Sequence, residues 1–239
     1  MSPALSCERP APGLVIWQPA RGFRFALDPF ILAGWALEGG APGSFLDAGT
    51  GSGVIALLVG RLGFAGEGVD IKDEWIALAR RSAAQSEDVF GRPLAERLDF
   101  QVQDLRARQA DPVDLVLCNP PYRQPGRGPL PADPLAAAAR VALHGDLDAL
   151  IPALCRAGRR VAMVLPAIRA EEAIALLAAS GTPLARRCNV GQVLVLLEGR
   201  SDHSGPVSFE AIDAPAERRF PARVRDWYAA LGAPLPQIG

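Results

Sequence analysis

Two stretches about 70 residues apart hold residue types that chemistry needs: Asp47-Ala-Gly49-Thr50-Gly51-Ser-Gly53 and Asn119-Pro120-Pro121-Tyr122. In the first, three glycines at alternate positions let the backbone turn sharply and approach a ligand closely. The apolar run Val54–Val59 that follows has the spacing of a packed helix, its N-terminus aimed at that ligand. The spacing excludes two common partners. A phosphate cradle needs Gly-x4-Gly-Lys-Ser/Thr, and this loop has no lysine. A dinucleotide fingerprint needs Gly-x-Gly-x-x-Gly, whereas here the third glycine comes one position early.

Asp47 narrows the choice. An acid at the mouth of the turn would repel a pyrophosphate, but it suits a cationic amino-acid tail such as the ammonium end of S-adenosylmethionine. Asp70, in Gly68-Val-Asp70-Ile71, ends another short strand 17 residues after Gly53, where a carboxylate accepts ribose hydroxyls. As plain structure, Asp70 would cap the helix over 74–84.

The second stretch leaves a strand over 113–118. In an open parallel sheet the ligand crevice lies outside the carboxyl ends of the strands, where their order reverses, so Asn119 belongs beside the glycine turn. The prolines remove backbone donors and leave carbonyl acceptors. A planar amine is a poor nucleophile because its lone pair is delocalised. The Asn119 side-chain oxygen and the Pro120 carbonyl would bind its two hydrogens, fix the nitrogen and favour a pyramidal geometry. Tyr122 offers a face for a planar target, and Pro121 and Arg123 lie beside it. Positioning then replaces a strong general base. Taken alone, Asn-Pro is also a common turn starter.

The surrounding elements must bring these groups together. Alternation over strand 43–48, helix 53–62, strand 66–71, helix 73–85, strand 98–102 and strand 113–118 specifies a parallel sheet covered on both faces. It continues with helix 146–157, strand 159–165 and helix 169–180. Leu184–Asn189 and Gln192–Glu198 read as a hairpin closing the sheet with an antiparallel strand. The expected fold is therefore α/β and doubly wound, a mostly parallel seven-stranded sheet with one antiparallel strand. Ahead of it, residues 1–12 read as disordered. Leu14–Gln18 and Gly22–Ala26 read as strands, and Asp28 as the cap of a helix Pro29–Leu37. After it come a polar loop 199–206, a further strand Val207–Ile212 and a helix Pro221–Leu231. The 239 residues fit one domain: 13–42 as N-terminal strands and helix, 43–198 as the core, 199–239 as an extension.

Composition sets further bounds. A net charge of −1 gives no global drive toward nucleic acid. No apolar run reaches the ~20 residues of a membrane span, and no secretory leader is evident. Four scattered cysteines and two distant histidines suggest reduced, cytoplasmic thiols, with neither disulfides nor a metal site.

The motifs together resemble the class I S-adenosylmethionine-dependent methyltransferases that modify planar nitrogens. Gln18-Pro-Ala-Arg21-Gly22-Phe-Arg24-Phe25 and Asp28-Pro-Phe-Ile-Leu-Ala33 are similar to the N-terminal block of the bacterial enzymes that methylate adenine N6 in a valine tRNA. The resemblance implies that Gly49, Thr50, Gly51 and Gly53 bind the methionine part, with Asp47 near its amine. Asp70 would hold the ribose, with Ile71 alongside. Asp104 would bind the adenine amine, or else simply cap a helix. Asn119 would meet both cofactor and substrate, and the Asp28 helix would lie over the cofactor as a lid. Arg21, Arg24, Arg123 and Arg127 would contact tRNA phosphates, in a monomer or weak dimer. Rivals are a glutamine-amide methylase, a small-amine methylase and a non-catalytic cofactor-binding scaffold. A nicotinamide dehydrogenase lacks both its glycine spacing and its proton relay here.

Overall fold

The computed structural model describes residues 4–21, 27–120, 147–213 and 220–235. In chain order the elements are β1 (Leu5–Ala11), β2 (Leu14–Pro19), α1 (Asp28–Glu38), β3 (Phe45–Ala48), α2 (Val54–Arg61), β4 (Gly66–Asp70), α3 (Asp73–Ala84) and β5 (Leu98–Val102). There follow β6 (Val113–Cys118), α4 (Leu147–Ala157), β7 (Gly158–Pro166), α5 (Ala170–Ala179), β8 (Leu184–Val190), β9 (Leu194–Arg200), β10 (Ser208–Ile212) and α6 (Ala222–Ala230).

The main sheet runs β10-β8-β9-β7-β6-β3-β4-β5. Every neighbouring pair is parallel except the two made by β9, so the expected single antiparallel strand is present. Two details differ from the sequence expectation. The sheet has eight strands rather than seven, because β10 joins β8 as an outer parallel strand, and β9 lies between β7 and β8 instead of at the edge.

Both faces are covered because the strands alternate. Leu115, Leu117, Ala162 and Val164 belong to a core shared with α1, α2, α3 and α6; Val116, Cys118, Val161 and Met163 belong to one shared with α4 and α5.

The N-terminal region departs most from expectation. Residues 5–11, read as disordered, form β1 and pair antiparallel with β2. The proposed partner strand 22–26 lies outside the described residues. This two-stranded ribbon is held to α3 by serines: Ser86 Oγ accepts from Val15 N at 2.9 Å and donates to Val15 O at 3.1 Å, and Ser82 Oγ accepts from Trp17 N at 2.9 Å.

Asp28 is the first residue of α1 rather than its cap. Leu27 occupies the cap position without a side-chain hydrogen bond, and Pro29 sits in the first turn. The helix is buried continuously from Pro29 to Ala36, as an integral layer and not a loose cover. Tyr228 of α6 stacks on Phe30 with ring centroids 4.9 Å apart, and a Cβ on Gly34 would collide with Trp227. Gly34→Ala is accordingly expected to lower stability by about 1–3 kcal/mol through overpacking. Denaturant unfolding checks this, and an unchanged midpoint would mean that α6 is not closely seated.

The C-terminal end of α1 is held by three arginines gathered around Glu198, which is fully buried. Glu198 Oε2 takes Arg160 and Arg186, each at 3.1 Å, and Oε1 takes Arg200 at 2.6 Å. The same guanidinium groups donate to carbonyls at and just beyond the helix end: Arg160 to Ala36 and Gly40, Arg186 to Trp35, Arg200 to Gly39.

Candidate active site

β6, β3, β4 and β5 are adjacent and finish at one edge of the sheet. Ala48 is level with Cys118 on one side and with Val69 on the other, and Asp70 is level with Val102. The next residues of the chain are those expected to act: the glycine turn after β3, Ile71 after β4, Asp104 beyond β5, and Asn119 with Pro120 after β6. The order of connections reverses between β3 and β6, and a crevice opens at such a point.

Backbone bonds shape the turn. Gly49 N and Thr50 N both donate to Val69 O at 2.9 Å, which ties it to β4. Gly49, Gly51 and Gly53 have φ of +74°, +54° and +88°, a region that side chains rarely enter. Their surroundings separate two duties. A Cβ on Gly49 or Gly51 would meet nothing within 4 Å, so these two line open space. A Cβ on Gly53 would press on Ala79 at 3.1 Å and Phe100 at 3.3 Å, so this glycine lets α2 approach its neighbours.

Asp47 is buried, at 1% exposure. Its Oδ2 accepts from Thr50 Oγ1 at 2.6 Å and from Ala56 N at 3.0 Å, bracing the turn from below. Its Oδ1 is buried with no partner. Burial pushes the Asp47 carboxyl up to about 7, against the pull of the Thr50 and Ala56 hydrogen bonds, and the charge of Asp70 adds to the rise.

Asp70 is half-buried, and its carboxylate is anchored by backbone. Oδ2 accepts from Gly51 N at 3.1 Å and Oδ1 from Lys72 N at 3.0 Å. Burial raises its pKa, with those hydrogen bonds opposing. Ile71 is 46% exposed at the mouth, and Val102, on the neighbouring strand, is 50% exposed. Sequence reasoning missed Val102; the signal was an aliphatic residue ending a strand just ahead of Asp104.

Asp104 takes the capping role. Its Oδ1 accepts from Arg106 N at 2.9 Å at the head of a short 3-10 turn, and its Oδ2 pairs with the Arg106 guanidinium at 2.6 Å. The hydrogen-bonded Arg106 side chain holds the Asp104 carboxyl below the usual carboxylate range.

Asn119 is half-buried and Pro120 buried. Pro121, Tyr122, Arg123 and Arg127 lie outside the described residues, as does Arg24; Arg21 is exposed. The clamp on the C-terminal end of α1 sits on residues near the start of β7 and the end of β9, at the opposite edge of the sheet. Cys118 is buried, and burial, with the Asp47 charge adding, pushes its thiol far above its ordinary range. Among the described residues, no three His, Cys, Asp or Glu side chains are grouped to hold a metal ion, and no helix is long and apolar enough to cross a membrane.

Solved structures share this architecture. A protein described as a predicted O-methyltransferase, Atu636 from Agrobacterium tumefaciens, superposes with a TM-score of 0.64 at 16% identity, over 88% of this chain and 100% of that one. Magnesium protoporphyrin IX methyltransferase from Synechocystis PCC 6803, with S-adenosylmethionine bound, gives 0.52 at 20% identity, over 70% of this chain and 75% of that one. The fold is that of S-adenosylmethionine-dependent methyltransferases.

No family model matches the chain. Over 170 residues it is 34% identical to tRNA1(Val) (adenine(37)-N6)-methyltransferase of Tolumonas auensis, covering 68% of each protein. Over 150 residues it is 37% identical to release factor glutamine methyltransferase of Rhodospirillum rubrum, covering 59% of this chain and 42% of that protein. The chain belongs to the tRNA1(Val) (adenine(37)-N6)-methyltransferase family.

Proposed function

We propose that this protein transfers a methyl group from S-adenosylmethionine to an exocyclic planar amine, adenine N6 of a tRNA. The observation that carries the reading is the register of β3 with β6, which sets the glycine turn and Asn119 side by side at one edge of the sheet. The residues present fit the cofactor: Gly49 and Gly51 border open space, and the buried Asp47 Oδ1 is an acceptor lacking a donor. Asp47 would answer the ammonium group and Asp70 the ribose, with Ile71 and Val102 against the adenine. Asp104 would have to turn from Arg106 to reach the adenine amine. Asp28 would border the crevice from α1.

When bound, the cofactor supplies an electrophilic methyl carbon. The protein's part is to hold the acceptor: the Asn119 oxygen and the Pro120 carbonyl accept the two amine hydrogens and fix the nitrogen, and the role expected of Tyr122, which lies outside the described residues, is to stack on the base. The amide group of a glutamine side chain has the same two hydrogens, and the Rhodospirillum rubrum relative favours that as the second reading.

Labelled methyl transfer to total RNA, total protein and a metabolite extract, run side by side, separates these acceptors. Label in protein alone would sink the tRNA reading. With RNA as substrate, product formation should fall steeply between low and physiological salt, whereas a small amine would give a flat response.

Two further results are expected. Asp70→Ala should weaken cofactor binding by about 1.5–3 kcal/mol, the usual worth of a hydrogen bond to a charged group. Wild-type affinity by calorimetry would show that the ribose is held elsewhere.

The second concerns pH. The Asp47 carboxyl stands at about 7 in the folded chain against 3.8 unfolded. Its contribution to stability is therefore complete below the unfolded value and lost as pH rises through about 7. A cationic ligand beside Oδ1 favours the carboxylate, so affinity should climb as pH rises toward about 7, by at most about tenfold per unit, and level off above it. An Asp47→Asn protein should show a flat profile; the same slope in parent and variant would remove Asp47 from the linkage.

A further inference from the structure

Beyond Asn119, on the side away from the glycine turn, two aliphatic side chains stand in water. Ile168 follows the end of β7 and is 91% exposed; Val193, at the tip of the β8–β9 hairpin, is 69% exposed. They form one rigid rim, because Ala167 N donates to Val193 O at 2.8 Å and Gly191 N donates to Ile212 O at 2.8 Å. β7 is the strand next to β6, about 5 Å away, with Cys118 level with Met163, and Ile168 lies further along the same edge, just past the end of β7. On the reading above the cofactor would lie over β3, β4 and β5, which leaves β6, β7 and β9 as the floor for an acceptor.

The charges around the rim are already committed. Arg169 pairs with Glu172 at 2.6 Å, and Arg187 pairs with Glu171 at 2.8 Å while its Nε donates to Asn189 Oδ1 at 3.0 Å. These guanidinium groups are not poised for phosphate, and what the rim offers is apolar surface. Leaving Ile168 in water gives folding nothing, since the side chain buries almost no area. A base drawn out of its stack to meet Asn119 and Pro120 uncovers the face of its neighbour, and aliphatic wedges are the side chains that proteins place against such faces.

We propose that Ile168 and Val193 form a shelf that receives the face of the nucleobase adjoining the target in a single-stranded RNA segment, an assignment that rests on the RNA-methylating reading above. The shelf sets acceptor affinity and leaves the cofactor untouched.

The test is an Ile168→Ser/Val193→Ser protein assayed on an unmodified tRNA transcript. Both positions are exposed, so the thermal midpoint and the cofactor affinity should match the parent. The half-saturating transcript concentration should rise about tenfold, in the range of lost stacking contacts. The slope of that constant against salt should stay as in the parent, because no phosphate contact is removed. An Ile168→Leu/Val193→Ile protein should behave as the parent. Unchanged half-saturation in the serine variant of an active RNA methylase would overturn the shelf alone, as would a shallower salt slope. A parent that labels protein glutamine and no RNA would overturn both the shelf and the reading beneath it.

Discussion

An Asn119→Ala protein should bind S-adenosylmethionine as the parent does while its turnover falls by about 10²–10³-fold, the usual loss when one preorganised polar group is removed from an active site. The reasoning is positional. Asn119 lies one residue beyond Cys118, level with the turn that begins after Ala48, and the turn itself is tied to β4 and Asp47 through Gly49, Thr50, Gly51 and Ala56. Its removal leaves that cradle intact and takes one of two acceptors from the amine. With only the Pro120 carbonyl left, the nitrogen can swing away and keep its lone pair delocalised. Calorimetry and single-turnover methyl transfer on the same sample check the two halves of the statement. Turnover like the parent's would take Asn119 out of the mechanism, and lost cofactor affinity would move its role to binding.

Glu198→Ala should be the most destabilising of the changes considered, by about 3–5 kcal/mol, the cost of stranding a buried charge cluster. The carboxylate is fully buried among Arg160, Arg186 and Arg200. Without it three guanidinium groups confront one another in a site with little water, and their grip on the carbonyls of Trp35, Ala36 and Gly39 loosens. Glu198→Gln should recover part of the loss by keeping the shape and some hydrogen bonds. A midpoint for the alanine protein within about 0.5 kcal/mol of the parent, the range of ordinary surface changes, would show that the arginines find other partners.

The sheet and the crevice were legible in the sequence because their signals are local. Alternating apolar segments gave the strands and helices to within a residue or two, and parallel topology then forced Asn119 next to Gly49. What escaped needed contacts between distant parts of the chain. β1 has an ordinary polar composition, and what makes it a strand is its pairing with β2, which Ser82 and Ser86 hold against α3. Glu198 looks like the end of a β-strand drifting into solvent until β7 and β8 bring arginines from 38 and 12 positions away. The alternate glycines look alike in sequence, and only their neighbours separate Gly49 and Gly51, beside open space, from Gly53, wedged against Ala79 and Phe100. The capping half of the dual reading of Asp104 is visible in the same way, in an arginine two residues on.

The burial of α1 also bears on how the protein is made. Trp227 and Tyr228, which close over that helix, are translated long after it. Arg61 repeats the pattern, donating to Pro12 O at 3.1 Å and to Leu231 O at 2.6 Å. Long-range closures of this kind slow folding, because loops must form before their contacts reward them. A nascent chain that still lacks α6 would thus expose the apolar flank of α1, which is covered only once that later helix has been made.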